Sequence, residues 1–179
     1  TITAITNTST FKDVINNDTI TTFTNQTNGS VENLSNTNTA TLTTLSNEAN
    51  ATITTLTNQG NITNAFSNAG RVTTLQNDNG TFNAGITNTN TGTITTLTNN
   101  GTITNGITNE AQGNNRGNIG TINNQQNLSS ITNAGDINTI NNQSNATLTT
   151  LTNQTGGSIQ TLNNTQNSTI TTLTNQANA

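Results

Sequence analysis

The chain has 179 residues, of which 47 are Thr and 40 are Asn, and its formal net charge is −4 at pH 7. It contains no Cys, Met, Trp, Tyr, His or Pro, which excludes a thiol nucleophile, a His base and the usual His or Cys metal ligands. Only Lys12, Arg71 and Arg116 are basic, which excludes the clustered positive charge of nucleic-acid-binding proteins, and no apolar run approaches the length of a membrane span.

Low hydrophobicity and a high Asn content would fit a disordered segment, but the placement of the apolar residues argues against disorder. Of the 35 Ile, Val, Leu and Phe residues, 34 form 17 pairs, and only Ile15 is left over. The second member follows the first by three residues, as in Ile53 and Leu56, or by four, as in Ile62 and Phe66. In chain order, the pairs begin at Ile2, Phe11, Ile20, Val31, Leu42, Ile53, Ile62, Val72, Phe82, Ile94, Ile103, Ile119, Leu128, Ile137, Leu148, Ile159 and Ile170.

An Asn stands two residues after the second member of every pair, so the repeating unit is Ω-x(2,3)-Ω-x-N, where Ω is aliphatic or Phe. We predict that these residues are buried or half-buried at corners and form ladders of stacked side-chain amides. They are Asn7, Asn16, Asn25, Asn36, Asn47, Asn58, Asn68, Asn77, Asn88, Asn99, Asn109, Asn124, Asn133, Asn142, Asn153, Asn164 and Asn175.

The unit predicts an all-β fold, because Thr, Ile and Val favour strands whereas Asn and Gly favour turns. Stacked units make a β-solenoid, and two units per coil of about 20 residues avoid a tube too narrow to stand without disulfides. Eight or nine coils at ~4.8 Å each give a rod about 40 Å long. The three-residue spacing breaks strand alternation and predicts a bend or bulge, whereas the four-residue spacing keeps the alternation.

A larger repeat encloses the small one. The unit starts are separated by 9, 9, 11, 11 and 11 residues from Ile2 and again from Ile119, an offset of 117 residues. In this register, segments 1–62 and 118–179 are identical at 24 of 62 positions, including TITTLTNQ at 52–59 and 169–176. We therefore predict a single solenoid segment over 1–179, with one large repeat at 1–117 and the start of a second at 118–179.

Two features leave alternatives open. Residues 110–117 (EAQGNNRG) lie in a 16-residue gap between unit starts and are either a surface loop or a degenerate unit. The end units match interior units and carry no capping signal, so we expect the solenoid to be continued by further repeats of the same chain or by copies stacked head to tail.

The acidic residues and the Thr residues of the chain restrict the classes of function that are possible. The seven acids are scattered and form no calcium-binding motif, so we expect no metal, no cofactor and no enzymatic activity; a carbohydrate-acting enzyme would need clustered carboxylates.

Thr flanks the first apolar residue on both sides in eight units, which resembles the surface of ice-binding β-solenoids. If the 16-residue gap is one unit, the odd-numbered units carry 14 Thr and no charge in their 18 flanking positions. Possible ice-face residues are Thr19, Thr21, Thr41, Thr43, Thr102, Thr104, Thr147 and Thr149.

Nested Thr- and Asn-rich repeats, with runs such as TITTLTNNGTITNGITN at 93–109, resemble the repetitive stalks of large bacterial surface proteins. These include adhesins of the filamentous-haemagglutinin and autotransporter types, and the resemblance covers the whole chain without a diagnostic motif. It implies secretion, an extracellular or cell-surface location and a structural or adhesive role. The implied partners are copies or further repeats of the chain itself, and cell-surface glycans; ice is the partner in the alternative reading.

Overall fold

The computed structural model describes residues 1–179 and contains 22 β-strands and no helix. In chain order the strands are β1 (Ile2–Asn7), β2 (Thr10–Asn16), β3 (Thr19–Asn25), β4 (Ser30–Asn36), β5 (Thr41–Asn47), β6 (Thr52–Asn58), β7 (Asn61–Ile62), β8 (Phe66–Asn68), β9 (Arg71–Asn77), β10 (Thr81–Phe82), β11 (Ile86–Asn88), β12 (Thr93–Asn99), β13 (Thr102–Ile103), β14 (Ile107–Asn109), β15 (Ala111–Gln112), β16 (Asn115–Arg116), β17 (Asn118–Asn124), β18 (Asn127–Asn133), β19 (Asp136–Asn142), β20 (Thr147–Asn153), β21 (Ser158–Asn164) and β22 (Thr169–Asn175).

The chain winds into a β-solenoid with two units in each coil, as the sequence predicts. Units alternate between a first sheet of 12 strands, which contains β1 and β22, and a second sheet of eight strands, which contains β2 and β21. Strands within these two sheets pair in parallel with the strand one coil further on, so that Thr10 of β2 pairs with Ser30 of β4. Nine units lie in the first sheet and eight in the second.

The core is a single column of apolar side chains between the two sheets. We number the seven residues of a strand such as β6 from position 1 (Thr52) to position 7 (Asn58). Positions 2, 5 and 7 are buried, and positions 1, 3, 4 and 6 are at least partly exposed. Twenty-seven buried hydrophobic residues form one cluster, in which Phe23, Phe66 and Phe82 have the largest side chains. This confirms the predicted inward direction of the apolar pairs.

The three-residue spacing produces a bend in the strand, at the same position in the paired strands of successive coils. In the pairing of β4 with β6, Val31 faces Ile53 and Asn33 faces Thr55, but the intervening pair, Glu32 and Thr54, is skipped. A bulge would add a residue to one strand only, whereas this interruption falls at the same position in both strands. Two outward residues therefore separate the two inward apolar residues without loss of register.

The expectation that four-residue units keep strict alternation is wrong. In these three units, which stack in consecutive coils of the first sheet, the strand is interrupted by three residues, at 63–65, 83–85 and 104–106. In two of the three units a Gly precedes the second apolar residue: φ is +83° at Gly85 and +81° at Gly106, and a Cβ on Gly106 would lie 2.4 Å from the carbonyl oxygen of Ser130. These two units turn sharply in a backbone conformation that favours Gly, whereas the first unit has Ala65 at this position, where φ is not positive.

Residues 110–117 form a surface loop and not a degenerate unit. Strands β15 and β16 pair antiparallel as a short hairpin, and the units on either side of the loop occupy successive positions in the two sheets. Arg116 Nε donates to both carboxylate oxygens of Asp136, at 3.0 and 2.9 Å, which fixes the hairpin on the coil above it. The Asp136 carboxylate also raises the pKa of the Arg116 guanidinium through these hydrogen bonds.

Candidate functional site

The predicted amide ladders are present, one along each sheet. In every interior step, Nδ2 of one Asn donates to Oδ1 of the Asn in the next coil, at 2.8–3.0 Å. The first sheet carries Asn7, Asn25, Asn47, Asn68, Asn88, Asn109, Asn133, Asn153 and Asn175. The second sheet carries Asn16, Asn36, Asn58, Asn77, Asn99, Asn124, Asn142 and Asn164.

A central ladder residue has its hydrogen-bonding capacity well used. Asn99 Oδ1 accepts from Asn77 Nδ2 at 2.8 Å and from the backbone N–H of Gly101 at 3.3 Å. Its Nδ2 donates to Asn124 Oδ1 at 2.9 Å and to the backbone carbonyl of Asn127 at 3.2 Å. Because Asn99 is completely buried, these bonds are what make a polar side chain acceptable in the solenoid interior.

Fifteen of the seventeen ladder residues are buried. The exceptions, Asn164 and Asn175, belong to the last coil, over which no further coil lies, and both are exposed. The ladder repeats at the spacing of adjacent strands, which a short amide side chain bridges directly. The two ladders therefore tie each coil to the next at two places, one on each sheet.

The candidate ice-face residues all lie on the outside of the first sheet. Thr19, Thr41, Thr102 and Thr147 are half-buried at position 1. Their row is interrupted by Asn61 and by Asn127. The remaining four, at position 3 or its equivalent, lie at the bend, where strand pairing is skipped: Thr21, Thr43, Thr104 and Thr149. These Thr residues thus share one face but do not form an unbroken array.

An unbroken hydroxyl row lies elsewhere on the first sheet, at position 6, between the second apolar residue and the ladder Asn. Every one of its nine members is Thr or Ser, and each pairs in register with the next. The sequence contains this row, but the row can be recognised only after alternate units are assigned to the two sheets. Position 6 of the second sheet carries several residue types, which hides the pattern when all units are read together. The row consists of Thr6, Thr24, Ser46, Ser67, Thr87, Thr108, Thr132, Thr152 and Thr174.

The second sheet presents a different exterior. Its position 4 carries six successive Thr residues, but charged residues lie on the same side of the sheet. Lys12, Glu32, Arg71 and Asp136 flank its first apolar positions, whereas the corresponding positions of the first sheet carry no charge. Because the 16-residue gap counts as one unit, alternate units lie on alternate sheets throughout the chain, and the two sheets differ in Thr content. Thr fills 14 of the 18 positions that flank the first apolar residues in the first sheet and 6 of the 16 in the second.

No group of three or more acidic side chains lies close enough to hold a metal ion, and no helix is present that could cross a membrane. Comparison with protein families, curated proteins and solved structures finds no match to this chain. The solenoid itself therefore offers two features on which a function can rest: two amide ladders and two chemically different faces.

Proposed function

We propose that the chain is a non-enzymatic structural rod that forms part of an extracellular or cell-surface adhesin or filament. The observation that carries this proposal is the continuity of the two ladders, which run through all nine first-sheet units and all eight second-sheet units. A fold whose buried polar side chains form hydrogen bonds between coils resists bending, and it is extended by the addition of coils. The resemblance to the stalks of bacterial surface proteins supports the same role.

The adhesive function in this proposal belongs to the outer faces of the rod. The surface is rich in hydroxyl and amide groups and poor in charge, with ten Asp, Glu, Lys and Arg residues in 179. Such a surface suits neutral partners that are recognised by hydrogen bonds, and cell-surface glycans belong to this class.

Labelling of intact cells tests the location. Antibodies raised against residues 1–179 should bind intact cells of the source organism, and electron microscopy should show the label on projections or shed filaments. An antibody against a cytoplasmic protein is the control and should bind only permeabilised cells. Labelling of permeabilised cells alone would rule out the proposed surface role.

A second candidate function is ice binding, because the first sheet has an uncharged, Thr-rich exterior with a hydroxyl row along its full length. If this face binds ice, the chain should inhibit ice recrystallisation, and Thr87→Lys in the row should abolish the effect. Gln76→Lys, at the same strand position of the second sheet, is the matched control and should keep it. Equal loss in both variants, or no inhibition by the wild-type chain, would remove this candidate.

A further inference from the structure

A cleft lies along one corner of the solenoid, where a short turn is recessed between two longer turns. The turn at 69–70 has two residues, whereas the turns of the coils before and after it, at 48–51 and 89–92, have four each. Because the three turns are stacked, the short one leaves a cleft of about 460 Å³ between its neighbours, which we call the 69–70 cleft. This volume lies in the range of binding sites for small molecules.

Hydrogen bonds between coils hold the 69–70 cleft in shape. The backbone N–H of Arg71 donates to the carbonyl oxygen of Ala51, in the coil before, at 2.8 Å. Thr91 Oγ1, in the coil after, donates to the carbonyl oxygen of Ala69 at 2.9 Å. The short turn is thus bonded to both of its neighbours, so the cleft exists before any ligand binds and a ligand need not open it.

Arg71 supplies the only charge in the lining of this cleft. The two ion pairs of the chain involve the N-terminal amine and Arg116, so the Arg71 guanidinium has no carboxylate partner. The acid of the preceding turn, Glu48, is directed away from it, because its carboxylate accepts from the backbone N–H of Thr27 at 3.1 Å, one coil further back. A free guanidinium at the edge of a cleft without acids favours a ligand that carries a carboxylate, which it can bind through two parallel hydrogen bonds.

The rest of the lining fits a sugar ring better than a bare anion. The methyl groups of Ala49 and Ala69 provide an apolar surface for the C–H groups of a pyranose ring. The side-chain amide of the exposed Asn50 can donate to and accept from sugar hydroxyls. Thr91 Oγ1 uses its proton for Ala69, and its lone pairs remain available to accept from a further hydroxyl.

Two other clefts have the same origin but carry the opposite charge. The two-residue turn at 134–135 lies between the hairpin and a four-residue turn, and the turn at 59–60 also lies between longer turns. Glu110 lines the cleft over 134–135, and Asp78 lines the cleft over 59–60. The shape therefore recurs along the rod, whereas a basic lining is specific to the 69–70 cleft.

We propose that the 69–70 cleft binds a carboxylate-bearing sugar residue of a cell-surface glycan. The carboxylate pairs with the Arg71 guanidinium, the ring lies against Ala49 and Ala69, and the ring hydroxyls bond to Asn50 and Thr91. This inference rests on the proposed adhesive role and names the ligand class for one site. The neutral remainder of such a glycan meets the uncharged hydroxyl and amide groups of the rod.

Nuclear magnetic resonance titration of the isotope-labelled chain with methyl glucuronide and methyl sialoside tests the proposal. We expect at least one of them to cause saturable shifts of the backbone amide signals of Ala69, Gly70 and Arg71. The signals of Ala134 and Gly135, in the acidic cleft of the same shape, should not move. Methyl glucoside, a neutral sugar, and N-acetylaspartate amide, a model of an acidic peptide, should each bind at least about tenfold more weakly than the better acidic sugar.

Two substitutions separate the cleft from a simple charge effect. Arg71→Gln should weaken binding of the acidic sugar at least about tenfold. The matched control, Lys12→Gln, removes the same charge from a strand three coils away in the same sheet and should leave binding unchanged. Ala69→Leu keeps the guanidinium but fills the cleft, and it should also abolish binding. Circular dichroism of every variant must retain the wild-type β spectrum.

Several results would overturn the proposal: no saturable shift with either acidic sugar, equal affinity for the neutral sugar or the peptide model, or undiminished binding by Arg71→Gln or Ala69→Leu. These outcomes would leave the structural role of the rod standing. Failure of the surface labelling described above would remove the cell-surface role and leave the affinities measured in solution unchanged, so the two failures can be told apart.

Discussion

Replacing Asn99 with Ala is expected to lower the free energy of unfolding by about 1–3 kcal/mol. The substitution removes the acceptor for Asn77 Nδ2 and the donor to Asn124 Oδ1, and both of those amides are buried in neighbouring coils. A buried polar group that loses its partner keeps the cost of desolvation without the compensating bond. Urea unfolding followed by circular dichroism measures the loss.

Asn138→Ala is the control for this prediction. Asn138 is an exposed residue of β19 and is not part of either ladder, so its replacement should change the free energy of unfolding by less than about 0.5 kcal/mol. If Asn99→Ala and Asn138→Ala unfold at the same urea concentration, the ladder bonds contribute nothing net to stability. A loss confined to Asn99→Ala would support the stiffening role that the structural proposal gives to the ladder.

The repeat made much of this fold predictable from sequence. An apolar pair followed by Asn recurs 17 times, so the inward residues, the ladder and the two-unit coil can be derived from spacing and strand geometry alone. The alternation of three- and four-residue spacings in the middle of the chain correctly indicated two faces, since Ile62, Phe82 and Ile103 stack on consecutive coils of one sheet.

The parts that were not predictable depend on contacts between coils. In the unit that begins at Ile103, the break in the strand coincides with the close approach of Gly106 to Ser130, 24 residues further along the chain. The hairpin at 110–117 is fixed by the pairing of Arg116 with Asp136, and no local pattern in the sequence indicates that partner. The position-6 hydroxyl row emerges only when alternate units are separated into sheets.

The Thr-rich face stays on the first sheet along the whole chain, although units eleven places apart in the sequence fall on opposite sheets. In 118–179, Thr fills four of the six flanking positions of the first sheet and none of the six of the second. The fifth unit, with Thr on both sides of Leu42 in the first sheet, corresponds to the sixteenth, with Ser158 and Gln160 around Ile159 in the second. The flanking residues therefore follow the sheet in which a unit lies and not its place in the 117-residue register.

Replacing Phe82 with Ala is expected to have the largest effect of any single change considered, a loss of about 3–5 kcal/mol in the free energy of unfolding. Phe82 is completely buried, and its strand pairs with Ile62 in the coil before and Ile103 in the coil after. Truncation leaves a cavity that few neighbouring side chains can fill, because each coil contributes only a single layer of side chains to the core. The exposed Ile15→Ala is the control and should change stability by less than about 0.5 kcal/mol.

The location of the damage is also expected to be specific. In a solenoid each repeat contacts only its neighbours, so stability is lost mainly in the coils beside the cavity. Hydrogen exchange in Phe82→Ala should therefore accelerate at backbone amides of β7, β10 and β13, whereas those of β20, three coils away from β10, should keep nearly wild-type protection. Uniform acceleration along the whole chain would mean that the rod unfolds as one cooperative unit and that its coils are not separable layers.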